Sequence, residues 1–131
     1  AGLPIVYVQH LSDPSPEDPK MMEFCPAIAP KPGEPIVQKQ FGSAFLRTDL
    51  KETLSRLGVR TLYVCGLATQ GCVHETIKSA VCLEYDVVVV RDAHGAHAME
   101  DEGPAEVIDA HNEFWERIGA RLVALSDVTF S

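Results

Sequence analysis

The segment DVVVVRDA, residues 86–93, restricts the fold more than any other part of the chain. Valine is β-branched and favours extended backbone, and neighbouring side chains in a strand point to opposite faces. Four valines in a row, Val87 to Val90, therefore predict a strand buried on both sides. That is the habit of an interior strand in a parallel sheet, whose neighbours must be reached by crossover connections. The residues upstream supply such a crossover. RTLYVCG, residues 60–66, reads as a strand, and after Cys72 the residues Val73, Ile77 and Val81 recur at every fourth position until Tyr85 closes the segment, the spacing of one helical face.

The same alternation extends in both directions. Residues Pro4–Gln9, PIVYVQ, read as a buried strand. TDLKETLSRLG sets Leu50, Leu54 and Leu57 on one helical face, with Thr48 or Asp49 as N-terminal cap and Gly58 as the left-handed C-terminal position. Gly103 and Pro104 open a last helix with the stripe Val107, His111, Phe114 and Ile118, and RLVAL gives a final strand. From Leu11 to about Gln38 the pattern dissolves, because seven of the nine prolines lie between Pro14 and Pro35. A stretch that repeatedly lacks N–H donors and has fixed φ cannot form long helices or central strands, so 11–38 is expected to be a long loop or lid. The whole predicts a single domain over 1–131: a three-layer open α/β sheet, mainly parallel, with helices on both faces. In such sheets ligands collect beyond the carboxyl ends of the strands.

Charge excludes one class of partner. A net charge of −8, with 11 Lys and Arg scattered along the chain, opposes binding to nucleic acid, which needs clustered cations. No apolar run approaches the roughly 18 residues of a membrane span, and AGLPIVYVQH lacks the basic flank of a secretory signal. A soluble, cytoplasmic protein with a small-molecule partner is the expectation. Cys25, Cys65, Cys72 and Cys82 contain no CxxC pair, so they are read as reduced thiols without structural zinc.

Cys72, in GLATQGCVHETIKSA, falls between a strand and a helix, at the end of the sheet where ligands gather. A cysteine in the first turn of a helix lies near unpaired N–H groups and the positive end of the dipole, which favour thiolate over thiol and can also hold a developing oxyanion. The competing reading is a buried small hydrophobe. Cys65 and Cys82 are assigned to packing, and Cys25 stays undecided.

GLATQGCVHETIKSAVCLEYDVVVVRDA closely resembles the core motif of the isochorismatase-like cysteine hydrolases, and VQKQFGSAFLRTDLKETLSRLGVRTLYVCG resembles the segment before it. The resemblance implies an Asp-Lys-Cys triad with Cys72 as nucleophile and Lys39 as its cationic neighbour. It also implies a cis peptide at Leu67–Ala68 in a turn whose Ala68 and Cys72 amides face the oxyanion. Family members that retain the cysteine cleave a C–N bond in an amide, ureide or carbamoyl group through a thioester, without a cofactor. The resemblance further implies a homodimer or larger homo-oligomer.

The family aspartate lies on a first strand in a stretch like IDMQ, and no such stretch is present here. That strand is an interior one, so a sheet without it exposes two strand edges. Three readings follow: an N-terminally incomplete chain, a short form that no longer hydrolyses and only binds or scaffolds, or another acid such as Asp13 or a residue of another subunit. Phe24, Phe41 and Phe45 are candidates to wall a pocket for a flat substrate, and Gln70 to contact it. The five histidines do not form the zinc pattern of the metal-using relatives; His94 and His97 are placed near the pocket mouth, and His111 in the core or an interface. Trp115 is assigned to a helix face or subunit contact.

Overall fold

The computed structural model describes residues 3–11, 23–98 and 100–129. Their regular elements run β1 (Tyr7–His10), β2 (Ile36–Lys39), α1 (Leu50–Leu57), β3 (Thr61–Leu67), α2 (His74–Cys82), β4 (Asp86–Gly95), α3 (Pro104–Arg117) and β5 (Arg121–Val123). Every strand pairing among them is parallel. The strands form two pieces, β1-β2 and β3-β4-β5, so among the described residues β1, β2, β3 and β5 each keep one unpaired edge. The architecture is an open parallel α/β sheet flanked by helices, as the valine run and the strand–helix alternation require.

All four valines of β4 are buried, none more than 6% exposed. Two apolar clusters build the core. Val73, Ile77 and Ala80 pack with Val87, Val89, Trp115 and Ala120, while Val37, Ala44, Leu50 and Leu54 form the second cluster, and Phe45, Leu62 and Tyr85 touch both. Because Leu62 pairs with Val87 and Val64 with Val89, these residues share the face on which the helices lie. On the opposite face of β3, Tyr63 and Leu67 are 43% and 76% exposed.

Several boundaries differ from the sequence reading. β1 is short, and Val8 on its outward side stays exposed, with neither edge of this two-stranded piece paired to another strand among the described residues. The irregular stretch ends at Pro35, whose carbonyl accepts from Tyr7 N, and β2 begins at Ile36. In β2 Val37 and Lys39 point inward and Ile36 and Gln38 outward. Residues 12–22 of the expected lid, Asp13 included, lie outside the described residues.

In α1, Leu50 and Leu54 are buried as expected, with Thr53 buried beside them, but Leu57, the last residue of the helix, is exposed. Thr48 Oγ1 accepts from Leu50 N, Asp49 makes no side-chain cap, and Gly58 closes the helix at φ +68°. In α3 the inward stripe is Val107, His111 and Trp115, and Phe114 is exposed. Trp115 is therefore core, with no exposed surface; its burial is possible because Nε1–H finds an acceptor, His74 Nδ1, at 3.2 Å. Cys65 and Cys82 are exposed rather than packed: β3 alternates, with Cys65 on its open face, and Cys82 ends α2 on the outer side.

Candidate active site

Parallel strands in register bring their carboxyl ends to one place, and the site begins there. His10 is the last residue of β1 and Lys39 the last of β2, and the two are register partners. The next backbone bond, Leu11 N to Lys39 O at 2.8 Å, holds them side by side. Beyond β3, the Leu67–Ala68 peptide is cis, and residues Thr69–Val73 form a single π-helical turn before α2. Ala68 O accepts from both Gly71 N (3.1 Å) and Val73 N (3.2 Å), which folds the turn tightly. Cys72 sits in this turn, directly ahead of α2 rather than inside its first turn.

The loop after β2 joins the two halves of the site. Ser43 Oγ and Ser79 Oγ are 2.7 Å apart, and Ala44 N donates to Thr76 Oγ1 at 2.9 Å, so residues 43–44 lie on α2. Gly42 lets the loop come this close: a Cβ there would stand 3.1 Å from Glu75 Cγ. Small residues in FGSAF thus set the distance between β2 and the 69–73 turn.

Lys39 is only 4% exposed, and its ammonium has three acceptors: Phe41 O at 2.8 Å, His10 Nδ1 at 2.9 Å and Cys72 Sγ at 3.0 Å. An ammonium carries three N–H donors and no acceptor, so this set satisfies it completely. It also fixes the tautomer of His10, whose Nδ1 must be bare and whose proton must lie on Nε2. Partial loss of water around the ring, and then the charge of Lys39, hold His10 below the ordinary histidine range, consistent with a neutral ring. Cys72 is half-buried, so its sulfur has a cationic donor on one side and remains reachable. Such a sulfur can act as a nucleophile toward an electrophilic carbon.

Of the residues predicted from sequence, Lys39 and Cys72 are in contact, and Leu67 and Ala68 frame the turn. Phe41 is beside the site through its carbonyl, while its ring lies 5.4 Å from the Arg47 guanidinium. Phe24 packs edge-on against Tyr7, 5.6 Å between centroids, and Phe45 stacks on Tyr85 at 5.7 Å within the core. Gln70 Nε2 donates to His97 O at 2.9 Å, tying the turn to the segment after β4. His94 is 7% exposed and lines the smaller of two depressions along α3, on a face that does not include Cys72 or Lys39. His10 and the Phe41 carbonyl were not singled out from sequence for Lys39. The signal that would have found them is the placement of both residues at or just beyond the ends of adjacent parallel strands.

Among the described residues no carboxylate bonds to Lys39 or Cys72; the two ion pairs, Lys78–Glu75 and Arg121–Asp86, are elsewhere. No group of three or more metal-ligating side chains occurs among them. None of their helices is long and apolar enough to cross a membrane. Two surface depressions, of about 600 and 390 Å³, lie along α3 and are lined by Arg91 and Asn112; neither includes Cys72 or Lys39. The site is defined by its contacts, not by its depth.

Comparison with known proteins agrees with this fold. Residues 1–120 match the Isochorismatase domain. The chain is 35% identical over 91 residues to maleamate amidohydrolase of Pseudomonas putida, a match covering 70% of this chain and 42% of that protein. Among solved structures, an isochorismatase from Pseudomonas putida superposes with a TM-score of 0.87 at 29% identity, over 98% of this chain and 70% of that one. N-carbamoylsarcosine amidase from Thermoplasma acidophilum superposes with a TM-score of 0.78 at 26% identity, over 99% of this chain and 76% of that one. The chain spans 42% to 63% of the length of three curated relatives.

Proposed function

The chain belongs to the isochorismatase family, and on that footing we propose that it forms part of a cysteine-dependent hydrolase that cleaves a C–N bond in a small amide, ureide or carbamoyl substrate. The observation that carries this reading is the contact between the buried Lys39 ammonium and Cys72 Sγ at 3.0 Å. Two of the similar proteins are named for amide hydrolysis, maleamate amidohydrolase and N-carbamoylsarcosine amidase, which supports the substrate class.

In this mechanism the sulfur, with the ammonium alongside, adds as the thiolate to the carbonyl carbon and the carbonyl oxygen becomes negative. Backbone N–H groups of the 68–72 turn stabilise that charge. The C–N bond then breaks, the nitrogen leaves protonated as ammonia or an amine, and the acyl group remains on Cys72 as a thioester. Water hydrolyses the thioester, giving the free thiol and the carboxylic acid, or, from a ureide or carbamoyl substrate, a carbamic acid that breaks down to carbon dioxide and ammonia or an amine. Proton transfers require a base, and the resemblance implies an aspartate for it. The unpaired edges of β1 and β3 are places where a further strand can add, and such a strand is our proposal for the carrier of this carboxylate.

The absence of a carboxylate partner among the described residues favours one alternative, a protein that holds a ligand without turning it over. Ammonia release from a panel of amide acids, ureido acids and N-carbamoyl acids separates the two. Turnover by the wild type and none by Cys72→Ala is the expected result. Binding of a panel compound without release of ammonia by either protein would establish the alternative.

A further inference from the structure

The turn that carries Cys72 is tied into the interior by a chain of hydrogen bonds that the chemistry above does not use. Thr69 has no exposed surface, and its Oγ1 lies 2.7 Å from His94 Nδ1 on β4. His94 Nε2 lies 2.9 Å from Asn112 Oδ1 on α3, and Asn112 Nδ2 donates to Arg91 O at 3.2 Å. The last bond fixes the direction of the others. Because the amide nitrogen of Asn112 is committed to a carbonyl, its oxygen faces the imidazole and must accept from Nε2–H. A neutral His94 then has a bare Nδ1, which accepts from the Thr69 hydroxyl. Trp115 closes one side of the ring, edge-on at 5.0 Å between centroids.

We infer that His94 is a positioning residue for the nucleophile: through Nδ1 it holds Thr69, and with it the 69–73 turn, where Cys72 Sγ meets the Lys39 ammonium. The inference rests on the reading of Cys72 as the nucleophile. Thr69 and Cys72 belong to the same five-residue turn, whose backbone is closed by two bonds to Ala68 O, so a shift at Thr69 is carried to the sulfur. Sγ lies 3.0 Å from Nζ, and a shift of the turn away from Lys39 lengthens and weakens that contact. His94 touches neither the sulfur nor Lys39, so its effect is entirely on where the turn sits.

Two amide substitutions separate this role from simple packing. In asparagine the amide oxygen occupies the place of Nδ1 and can accept from Thr69, whereas in glutamine the amide falls at the place of Nε2 and reaches Asn112 instead. Glutamine, however, is the closer match to histidine in volume. The assay is carbamidomethylation of the full chain with iodoacetamide near neutral pH, followed site by site by peptide mass spectrometry, with exposed Cys25 as internal reference and the urea midpoint as a check on folding.

The inference predicts that His94→Asn labels Cys72 within about twofold of wild type, while His94→Gln is slower by about tenfold. Thr69→Val, which keeps the shape and removes the hydroxyl, should match the slow variant, and Thr69→Ser the fast one. The double variant His94→Gln with Thr69→Val should be no slower than either alone. If His94→Gln fails to fold, the Thr69 pair decides. Labelling that follows volume, with the glutamine variant at least as fast as the asparagine one, would overturn the inference, as would wild-type labelling in Thr69→Val. Should wild-type Cys72 label no faster than Cys25, the nucleophile reading itself fails, and the inference falls with it.

Discussion

Replacing Lys39 by methionine removes the ammonium while keeping an unbranched stem in a position only 4% exposed. Three acceptors lose their donor: Phe41 O, His10 Nδ1 and Cys72 Sγ. His10 is exposed and can turn to water, so the fold should survive. The sulfur loses a charge-assisted bond. At the observed 3.0 Å, Coulomb's law gives about 1.4 kcal/mol in bulk water and about 5.5 kcal/mol at an effective dielectric of 20. The half-exposed sulfur lies between these limits, near the ~1.5–3 kcal/mol of a hydrogen bond to a charged group.

Its loss corresponds to roughly 10- to 150-fold weaker stabilisation of negative charge on the reacting sulfur. A less stabilised thiolate is intrinsically more nucleophilic, which offsets about half of the effect on a logarithmic scale. Alkylation of Cys72 should therefore slow by about 3- to 12-fold in Lys39→Met, with Cys25 unchanged. The assay is competitive labelling with iodoacetamide, read by the ratio of modified Cys72 to modified Cys25. A folded Lys39→Met protein whose ratio equals that of wild type would refute the electrostatic reasoning.

Two further outcomes test the frame around the site. Trp115, the sole tryptophan, is fully buried in the larger apolar cluster and donates to His74, so Trp115→Ala should lose about 3–5 kcal/mol in urea unfolding followed by far-UV circular dichroism. A loss below about 1 kcal/mol would return the residue to the surface. Half-buried His74 and buried His94 titrate below the ordinary 6.5, in each case chiefly because burial disfavours the charged ring. Between its folded value and 6.5 each ring binds fewer protons folded than unfolded, so its stabilisation is complete above about 6.5 and is lost as pH falls toward the folded value. The urea midpoint should thus drop from about pH 7.5 to about pH 5.5, less steeply in His94→Asn; a flat profile in wild type would contradict the burial of these rings.

What was legible in the sequence is what local pattern encodes. The valine run announced β4 and its burial, the leucine spacing and Gly58 announced α1, and Gly103-Pro104 announced the start of α3. β2 escaped because it is four residues long and follows directly on Pro35, so its alternation was lost in the proline-rich stretch. Trp115 was misread because burial of an indole depends on an acceptor, His74, that is 41 residues away in sequence. Cys65 and Cys82 were misread because burial was inferred from the type of element rather than from which face of it is covered. The pairing of Lys39 with Cys72 came from resemblance, since a contact between residues 33 apart leaves no periodic trace. The split between β1-β2 and β3-β4-β5 follows the expectation that two strand edges are open.

The most direct test of the account is to quench the protein during turnover of an amide substrate and map the acyl group by peptide mass spectrometry. The account predicts the acyl mass on the peptide containing Cys72, as a thioester released by hydroxylamine, and no turnover by Cys72→Ala. Turnover that persists in Cys72→Ala, or an acyl group found on a different residue, would contradict it.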